Sequence, residues 1–165
     1  MKAIVAVDKF WGIGKNNDLL FSIPEDMKFF RTTTLNKVVV MGRKTLESFP
    51  NGNPLKNRVN IVLSSNLERD DCVVCKDLSE LKEQLKKYDD QDLFVIGGAS
   101  VYQLLLPFVK TALVTKVDAD GQATAFFENL DNLSNWKQEK ESEVIETNGY
   151  KIKFTEYTNL SPKEL

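Results

Sequence analysis

The sequence predicts an α/β fold: a mostly parallel β-sheet with helices on both faces and an antiparallel hairpin at its C-terminal end. Three observations carry this reading. Apolar, β-rich runs recur at residues 3–7, 38–41, 59–63, 73–75, 93–96 and 112–117. They are continuous rather than alternating, so both faces of each strand are covered, as in parallel sheets sandwiched by helices. Helical patterns fall between several of them. Residues 22–34 form one. Residues 78–87 carry Leu78, Leu81 and Leu85 at helical spacing, and residues 100–106 carry Val101, Leu104 and Leu105 and halt before Pro107. Finally, strand-like runs at 137–145 and 150–157 flank Asn148-Gly149, a pair suited to the positive φ angles of a two-residue hairpin turn. Residues 50–54, rich in Pro, Asn and Gly, read as an exposed loop.

A chain of 165 residues with 42% hydrophobic content suits a single domain spanning residues 1–165. The formal net charge of −2 argues against a non-specific nucleic-acid binder, which needs a basic excess. No apolar run is long enough to span a bilayer, and the N-terminus lacks the features of a secretory signal, so a cytoplasmic location is expected. Cys72 and Cys75 form a C-x-x-C pair on a short predicted strand, where positions three apart point to opposite faces. With no histidine and no second cysteine pair, a Cys/His zinc site cannot be assembled, no metal is expected, and two unpaired thiols are the reading. The absence of histidine also leaves acid–base chemistry to carboxylates, Tyr, Lys or water.

The most informative helix opens Ser22-Ile23-Pro24-Glu25-Asp26. Ser22 with Glu25 fits a capping box, and Pro24 suits a first helical turn. At about 100° per residue, Ile23, Met27, Phe29 and Phe30 share one arc, and Asp26 falls inside it. Two alternatives stand open. Asp26 is a first-turn acid favoured by the helix dipole and partly solvated. Or it lies at the base of an apolar cleft, binding a planar donor or assisting proton transfer with a pKa raised by burial. The preceding residues 12–18, rich in Gly, Asn and charge, have the composition of a mobile flap beside a site.

Ligands of doubly wound sheets bind beyond the carboxyl ends of the strands, and three such ends carry suitable groups. Gly42, Arg43, Lys44 and Thr45 follow one strand and open a short helix; Ser64 and Ser65 follow another, after Leu63; Gly97, Gly98, Ala99 and Ser100 follow a third. Each is weak alone, since a Gly-Gly junction serves a tight turn as readily as a phosphate cradle. Together they favour a dinucleotide across the sheet edge. Neither glycine pair completes G-x-G-x-x-G, so this is not the common dinucleotide fold. With no acid at the usual ribose-binding position, Arg43, Lys44, Ser64 and Ser65 favour NADP over NAD.

Taken in order, Ile13-Gly14, Ile-Pro-Glu-Asp at 23–26 with Phe30, Thr-Leu-Asn-Lys at 34–37, Val-Met-Gly-Arg-Lys-Thr at 40–45, Arg58 before the strand ending in Ser64-Ser65, and Ile96-Gly97-Gly98 with Tyr102 resemble bacterial dihydrofolate reductase. The resemblance covers essentially the whole chain. It implies a central mixed eight-stranded sheet, NADPH as cofactor, dihydrofolate as substrate, antifolates as inhibitors and a monomer. It further implies that Asp26 hydrogen-bonds the pterin and supports protonation of N5. Ile4, Val5, Met27, Phe30, Phe49, Leu55, Ile96 and Thr115 would line the substrate pocket, and Arg58 would clamp the α-carboxylate of the glutamate tail. Ala6, Ile13 and Gly14 would hold the nicotinamide end, with Leu19 at the flap tip. Gly42, Arg43, Lys44, Thr45, Leu63, Ser64, Ser65, Gly97, Gly98, Ala99, Ser100, Val101 and Tyr102 would hold the phosphates and adenosine, with Thr124 nearby. The chain departs from the family pattern at Leu20, where relatives have Pro, and at Phe21, where they have a Trp that helps hold a water. It departs again at Ser100, in place of a 2′-phosphate arginine, and at Ala123, in place of a flap-bracing aspartate. Two rival functions are a riboflavin-pathway pyrimidine reductase of the same fold and a non-catalytic NADP-binding sensor. Arg58 and Asp26 weigh against them.

Overall fold

Val, Ile and Leu dominate the runs that become the central strands, while Gly or a polar residue ends each one. The computed structural model describes residues 1–165. In chain order the elements are β1 (Lys2–Val7), β2 (Gly12–Lys15), β3 (Asp18–Leu19), α1 (Pro24–Thr34), β4 (Val38–Gly42), α2 (Arg43–Ser48), β5 (Val59–Leu63), β6 (Val73–Cys75), α3 (Leu78–Leu85), β7 (Leu93–Gly97), α4 (Ala99–Leu105), β8 (Thr111–Val117), β9 (Ala125–Phe126), β10 (Trp136–Glu141), β11 (Ile145–Thr147) and β12 (Tyr150–Asn159). Eight strands cross the main sheet in the order β10-β12-β8-β1-β7-β4-β5-β6, and β11 adds to β12. From β8 to β6 every pairing is parallel; β12 runs antiparallel to β8, β10 and β11.

Two apolar layers follow from the alternation of side chains along these strands. Ile4, Val39, Met41, Val62 and Phe94 face one side, where Leu46 of α2 and Phe29 and Phe30 of α1 pack. Ala3, Val5, Val38, Val40, Ile61 and Val95 face the other, against Leu81 and Leu85 of α3 and Val101 and Leu105 of α4. Cys72 lies against the first layer and Cys75 in the second, both unpaired. Cys72 precedes the strand, which begins at Val73. No helix is long and apolar enough to cross a membrane.

Asn148 (φ 50°) and Gly149 (φ 82°) make the expected turn, closing Thr147 onto Tyr150. The run read as one strand over 137–145 is two, β10 and β11, laid end to end along β12. The break falls at Ser142, whose hydroxyl takes the Phe154 N–H at 2.9 Å and whose own N–H reaches the Phe154 carbonyl at 2.8 Å.

Residues 12–18, expected to be a loop-like flap, fold as a hairpin of β2 and β3 that extends to β9 as a three-stranded sheet. Its turn is Asn16-Asn17, both at positive φ (51° and 67°), which asparagine tolerates best after glycine. The base is pinned by Asp8, 3% exposed. Its carboxylate accepts the N–H groups of Phe10 and Gly12 at 2.8 Å and of Gly121 at 3.0 Å.

Candidate active site

The main sheet divides along its middle. β1 pairs with β7 only at Lys2↔Phe94 and Ala3↔Val95. Beyond that, β1 stays with β8 as far as Val7↔Lys116, and β7 stays with β4 as far as Met41↔Gly97. The chain also reverses direction of travel here: β4, β5 and β6 build to one side of β1, and β8 to the other. Such a switch point at the carboxyl ends of parallel strands forms a crevice. Past the last pair, the Ile4 carbonyl accepts the Tyr102 hydroxyl at 2.7 Å. Tyr102 is buried, and burial, followed by the nearby Asp26 charge, lifts its phenol far above the usual range. Its hydroxyl, spent on the Ile4 carbonyl, braces the crevice.

Asp26 stands in the first turn of α1, facing β8. The helix begins one residue later than a Ser22 cap would place it. Ile23 is the N-cap, with no side-chain hydrogen bond, and Pro24 opens the helix. The expected Ser22–Glu25 capping box is absent: the Ser22 hydroxyl faces the Met27 sulfur at 3.8 Å, and the Ser22 carbonyl accepts the Asn148 side-chain amide at 3.0 Å. Phe21 packs edge-on against Tyr150 at 5.1 Å, and Ile23 is buried with Val117 and Ile152. The C-terminal hairpin thus holds the start of α1, and with it the carboxylate. Asp26 is half-buried, and its pKa is raised, first by burial, with the Thr115 hydroxyl pulling the other way. Burial outweighs the hydroxyl, which is the environment of the cleft alternative rather than of a solvated helix-end acid.

Around Asp26, Phe30, Phe49, Leu55 and Ile96 are half-buried against the layer that holds Ile4, and Thr115 is buried on β8. Two further expected pocket residues differ from these in burial and packing. Met27, placed on the apolar arc with Ile23, is 56% exposed, while Ile23 turns toward the C-terminal hairpin. The Val5 side chain packs in the opposite layer with α4, so only its main chain is left for the cleft.

Eight helical residues beyond Asp26, or about 12 Å of rise, Thr34 ends α1 fully buried. Its hydroxyl donates to the Phe30 carbonyl (2.8 Å) and accepts Arg58 Nε–H (2.8 Å). Arg58 Nη1 donates to the Lys56 carbonyl at 2.7 Å and Nη2 to the Arg31 carbonyl at 3.1 Å. Burial and the like charge of Arg31 lower the Arg58 pKa. Sequence reasoning misses Thr34 and Asp8 as site residues. Each sits beside a recognised feature, a helix end and a flap, but only the tertiary partner gives either one its role.

The three expected strand ends lie side by side, since β7, β4 and β5 are neighbours. The Gly97–Gly98 peptide is cis, and Gly97 has φ 128°. A Cβ on Gly97 would lie 3.3 Å from Tyr102 Cε2, and one on Gly98 3.6 Å from Thr45 Oγ1. A Cβ on Gly42 would meet Val101 Cγ2 at 3.1 Å. Ala99 and Ser100 open α4, while Val101 and Leu63 belong to the packed layer behind it. Arg43 is ion-paired with Glu47 at 2.8 Å in the open; Lys44 and Ser65 are exposed, and the Ser64 hydroxyl faces Asn66 Oδ1 at 3.2 Å. Ala6, Ile13 and Gly14 are half-buried near the flap base, and Leu19 is 83% exposed. Thr124 is engaged with the flap: its hydroxyl accepts the Asn16 N–H at 3.0 Å, and its N–H donates to the Gly14 carbonyl at 2.8 Å.

A divided mixed sheet with one half-buried carboxylate on one side of the crevice, and glycine-lined helix starts on the other, defines an α/β protein with its ligand cleft at the switch point. The model of the dihydrofolate reductase family matches residues 1–159. The chain is 35% identical over 158 residues to dihydrofolate reductase of Bacillus subtilis, covering 93% of this chain and 91% of that one. It is 34% identical over 144 residues to the enzyme of Haemophilus influenzae, covering 86% and 88%. Among solved structures, dihydrofolate reductase from Enterococcus faecalis complexed with NADP(H) and RAB-propyl superposes with a TM-score of 0.84. That match has 30% identity and covers 96% of this chain and 95% of that one. The chain belongs to the dihydrofolate reductase family.

Proposed function

We propose that this family member reduces 7,8-dihydrofolate to tetrahydrofolate with NADPH, and that Asp26 is its one acid–base side chain. The carrying observation is the raised pKa of a half-buried carboxylate beside Thr115 and the parted strands. The family match favours this reading over the pyrimidine-reductase and sensor alternatives.

The residues present fit the cofactor. Gly97 and Gly98 leave a cradle that side chains would narrow, the Thr45 hydroxyl borders it, and Arg43, Lys44, Ser64 and Ser65 supply cations and hydroxyls at the adjoining ends. When bound, NADPH supplies the hydride that reaches pterin C6. The chain's own work is to position and to protonate. Ile4, Phe30, Phe49, Leu55 and Ile96 present apolar walls to the bicyclic ring and benzoyl group, which excludes water and orients the reacting faces. Asp26 binds the ring's amino group and ring nitrogen, and holds the proton needed at N5, directly or through one water. Phe21 has no N–H to fix that water, so Asp26 and Thr115 carry the task. Arg58, held by Thr34, clamps the tail carboxylate with the two N–H groups it has left. Thr124 acts by latching the flap over the nicotinamide end. Antifolates with a planar diamino ring would compete at Asp26. The protein works as a cytoplasmic monomer of one domain, with no nucleic-acid or membrane partner.

Purified protein mixed with NADPH and dihydrofolate should consume NADPH, and a diaminopyrimidine antifolate should stop it. Folded protein that binds NADPH but shows no turnover would overturn the assignment.

A further inference from the structure

Thr115 and Lys116 are neighbours on β8 and point to opposite faces of the sheet. Thr115 faces Asp26, so Lys116 belongs to the reverse side. There its ammonium stands over the rings of Trp11 at 5.4 Å and Tyr157 at 5.2 Å. A groove of about 410 Å³ opens beside it, where β1 and β8 end. That volume lies within the range of small-molecule pockets, about 300–1,000 Å³. The groove shares no residue with the Asp26 crevice. Val7 and Trp11 give it an apolar floor, and Val144, in the break between β10 and β11, gives it an apolar lip. Val144 is 52% exposed, with its side chain left to solvent at the mouth.

The charges around the groove narrow its ligand. Lys9, Lys116, Lys151 and Lys153 line it together with Asp8, Asp118 and Asp131. Lys116 and Lys153 lie directly opposite each other on β8 and β12, an arrangement that costs a sheet stability. Each is offset locally, Lys116 by Asp131 at 3.5 Å and Lys153 by Glu141. Asp131 also accepts the Tyr157 hydroxyl at 2.6 Å, and the Asp8 carboxylate is spent on three main-chain N–H groups of the flap base. Lys9 and Lys151 pair with no carboxylate, and Asp118 pairs with no cation. Two free cations against one free acid leave room for a single negative charge. A polyphosphate would set its further charges against Asp118.

We propose that this groove is a second ligand site, for a small organic acid with one carboxylate on a flat apolar body. The carboxylate lies between Lys9 and Lys151, and the apolar body lies between Val144 and the floor at Val7 and Trp11. The site goes beyond the reductase reading and stands whether or not that reading holds. Both lysines are exposed, so affinity is modest, with Kd on the order of 0.1–1 mM for a bicyclic aryl carboxylate, and it weakens as salt screens the pair.

The test is an NMR titration of the full chain with naphthoate, its uncharged analogue naphthamide, and inorganic tripolyphosphate. The signals followed are the Val144 methyls and the Trp11 indole N–H at the groove, and the Met27 and Leu55 methyls at the crevice. Naphthoate should move the Val144 and Trp11 signals, with a Kd about tenfold lower than that of naphthamide and lower than that of tripolyphosphate. Lys9→Gln and Lys151→Gln should each raise the naphthoate Kd about twofold to fivefold, and Val144→Ser should raise it by a similar factor. Lys86→Gln, which removes an exposed charge just after α3, should leave it unchanged. Equal Kd values for naphthoate and naphthamide would overturn the proposal. So would tripolyphosphate as the tighter ligand, an unchanged Kd in the Lys9→Gln, Lys151→Gln double variant, or shifts at Met27 and Leu55 in place of Val144 and Trp11.

Discussion

Replacing Asp26 with asparagine should move stability and activity in opposite directions. Burial raises the Asp26 pKa above its ordinary 3.8. The folded state therefore binds that proton more tightly than the unfolded chain does. Unfolding free energy then falls as pH rises from the ordinary carboxylate value through the folded-state pKa, and it stays lower at every higher pH. Each tenfold difference in proton affinity between the two states is worth about 1.4 kcal/mol. The asparagine side chain does not titrate, keeps an oxygen for the Thr115 hydroxyl and has nearly the same shape. The Asp26→Asn variant should match the parent at low pH and gain on it through the same window, reaching a higher urea midpoint at neutral pH with an unchanged slope. Its kcat should fall by a factor of about 10² to 10⁴, the usual contribution of a positioned general acid, or about 2.7 to 5.4 kcal/mol of barrier. NADPH affinity should hold. Urea titrations across pH, paired with steady-state rates, read both effects. A variant less stable than the parent at neutral pH, or one with undiminished kcat, would refute the picture of a carboxylate kept in the cleft at a cost to the fold.

Three further substitutions probe the crevice and the flap. Tyr102→Phe leaves the Ile4 carbonyl without its 2.7 Å partner and should cost about 1–3 kcal/mol in chemical denaturation. Gly97→Ala forces a side chain onto φ 128°, 3.3 Å from the Tyr102 ring; it should cost about 1–3 kcal/mol and weaken NADPH binding measured by fluorescence titration. Gly12→Ala would put a methyl 2.4 Å from Ala123 Cβ and 3.0 Å from the Asp8 oxygens, with an expected loss of about 1–3 kcal/mol. Adding Ala123→Gly should recover much of that loss, and a purely additive double variant would show that the two positions do not touch.

The strands are legible because each is a short, continuous apolar run bounded by Gly or polar residues, and Asn148-Gly149 announces its turn from sequence alone. The start of α1 is not. The Ser22 pattern is a good cap in isolation, but Pro24 and the distant Asn148 side chain take the backbone over, and the helix begins from Ile23. The β2–β3 hairpin escapes notice because its strands are short and β2 is glycine-rich, with support coming from Asp8 and β9. At the site, Asp26 can be singled out by its place on the helix arc. Met27 shares that arc yet is 56% exposed, since helix periodicity cannot tell which of two apolar neighbours the hairpin will claim. The anchoring of Arg58 by Thr34 spans 24 residues and leaves no local trace.

The flap and the segment that follows β8 are interlocked along their whole length. Asp8 joins Gly12 to Gly121, Leu20 closes over Gly121, Trp11 bonds Phe127, and Thr124 holds both Gly14 and Asn16. These two stretches, more than 100 positions apart in the chain, are therefore one transplantable part. An engineer who grafts a relative's flap alone imports half of a zipper, and the borrowed half will close only if the matching teeth from residues 119–127 travel with it.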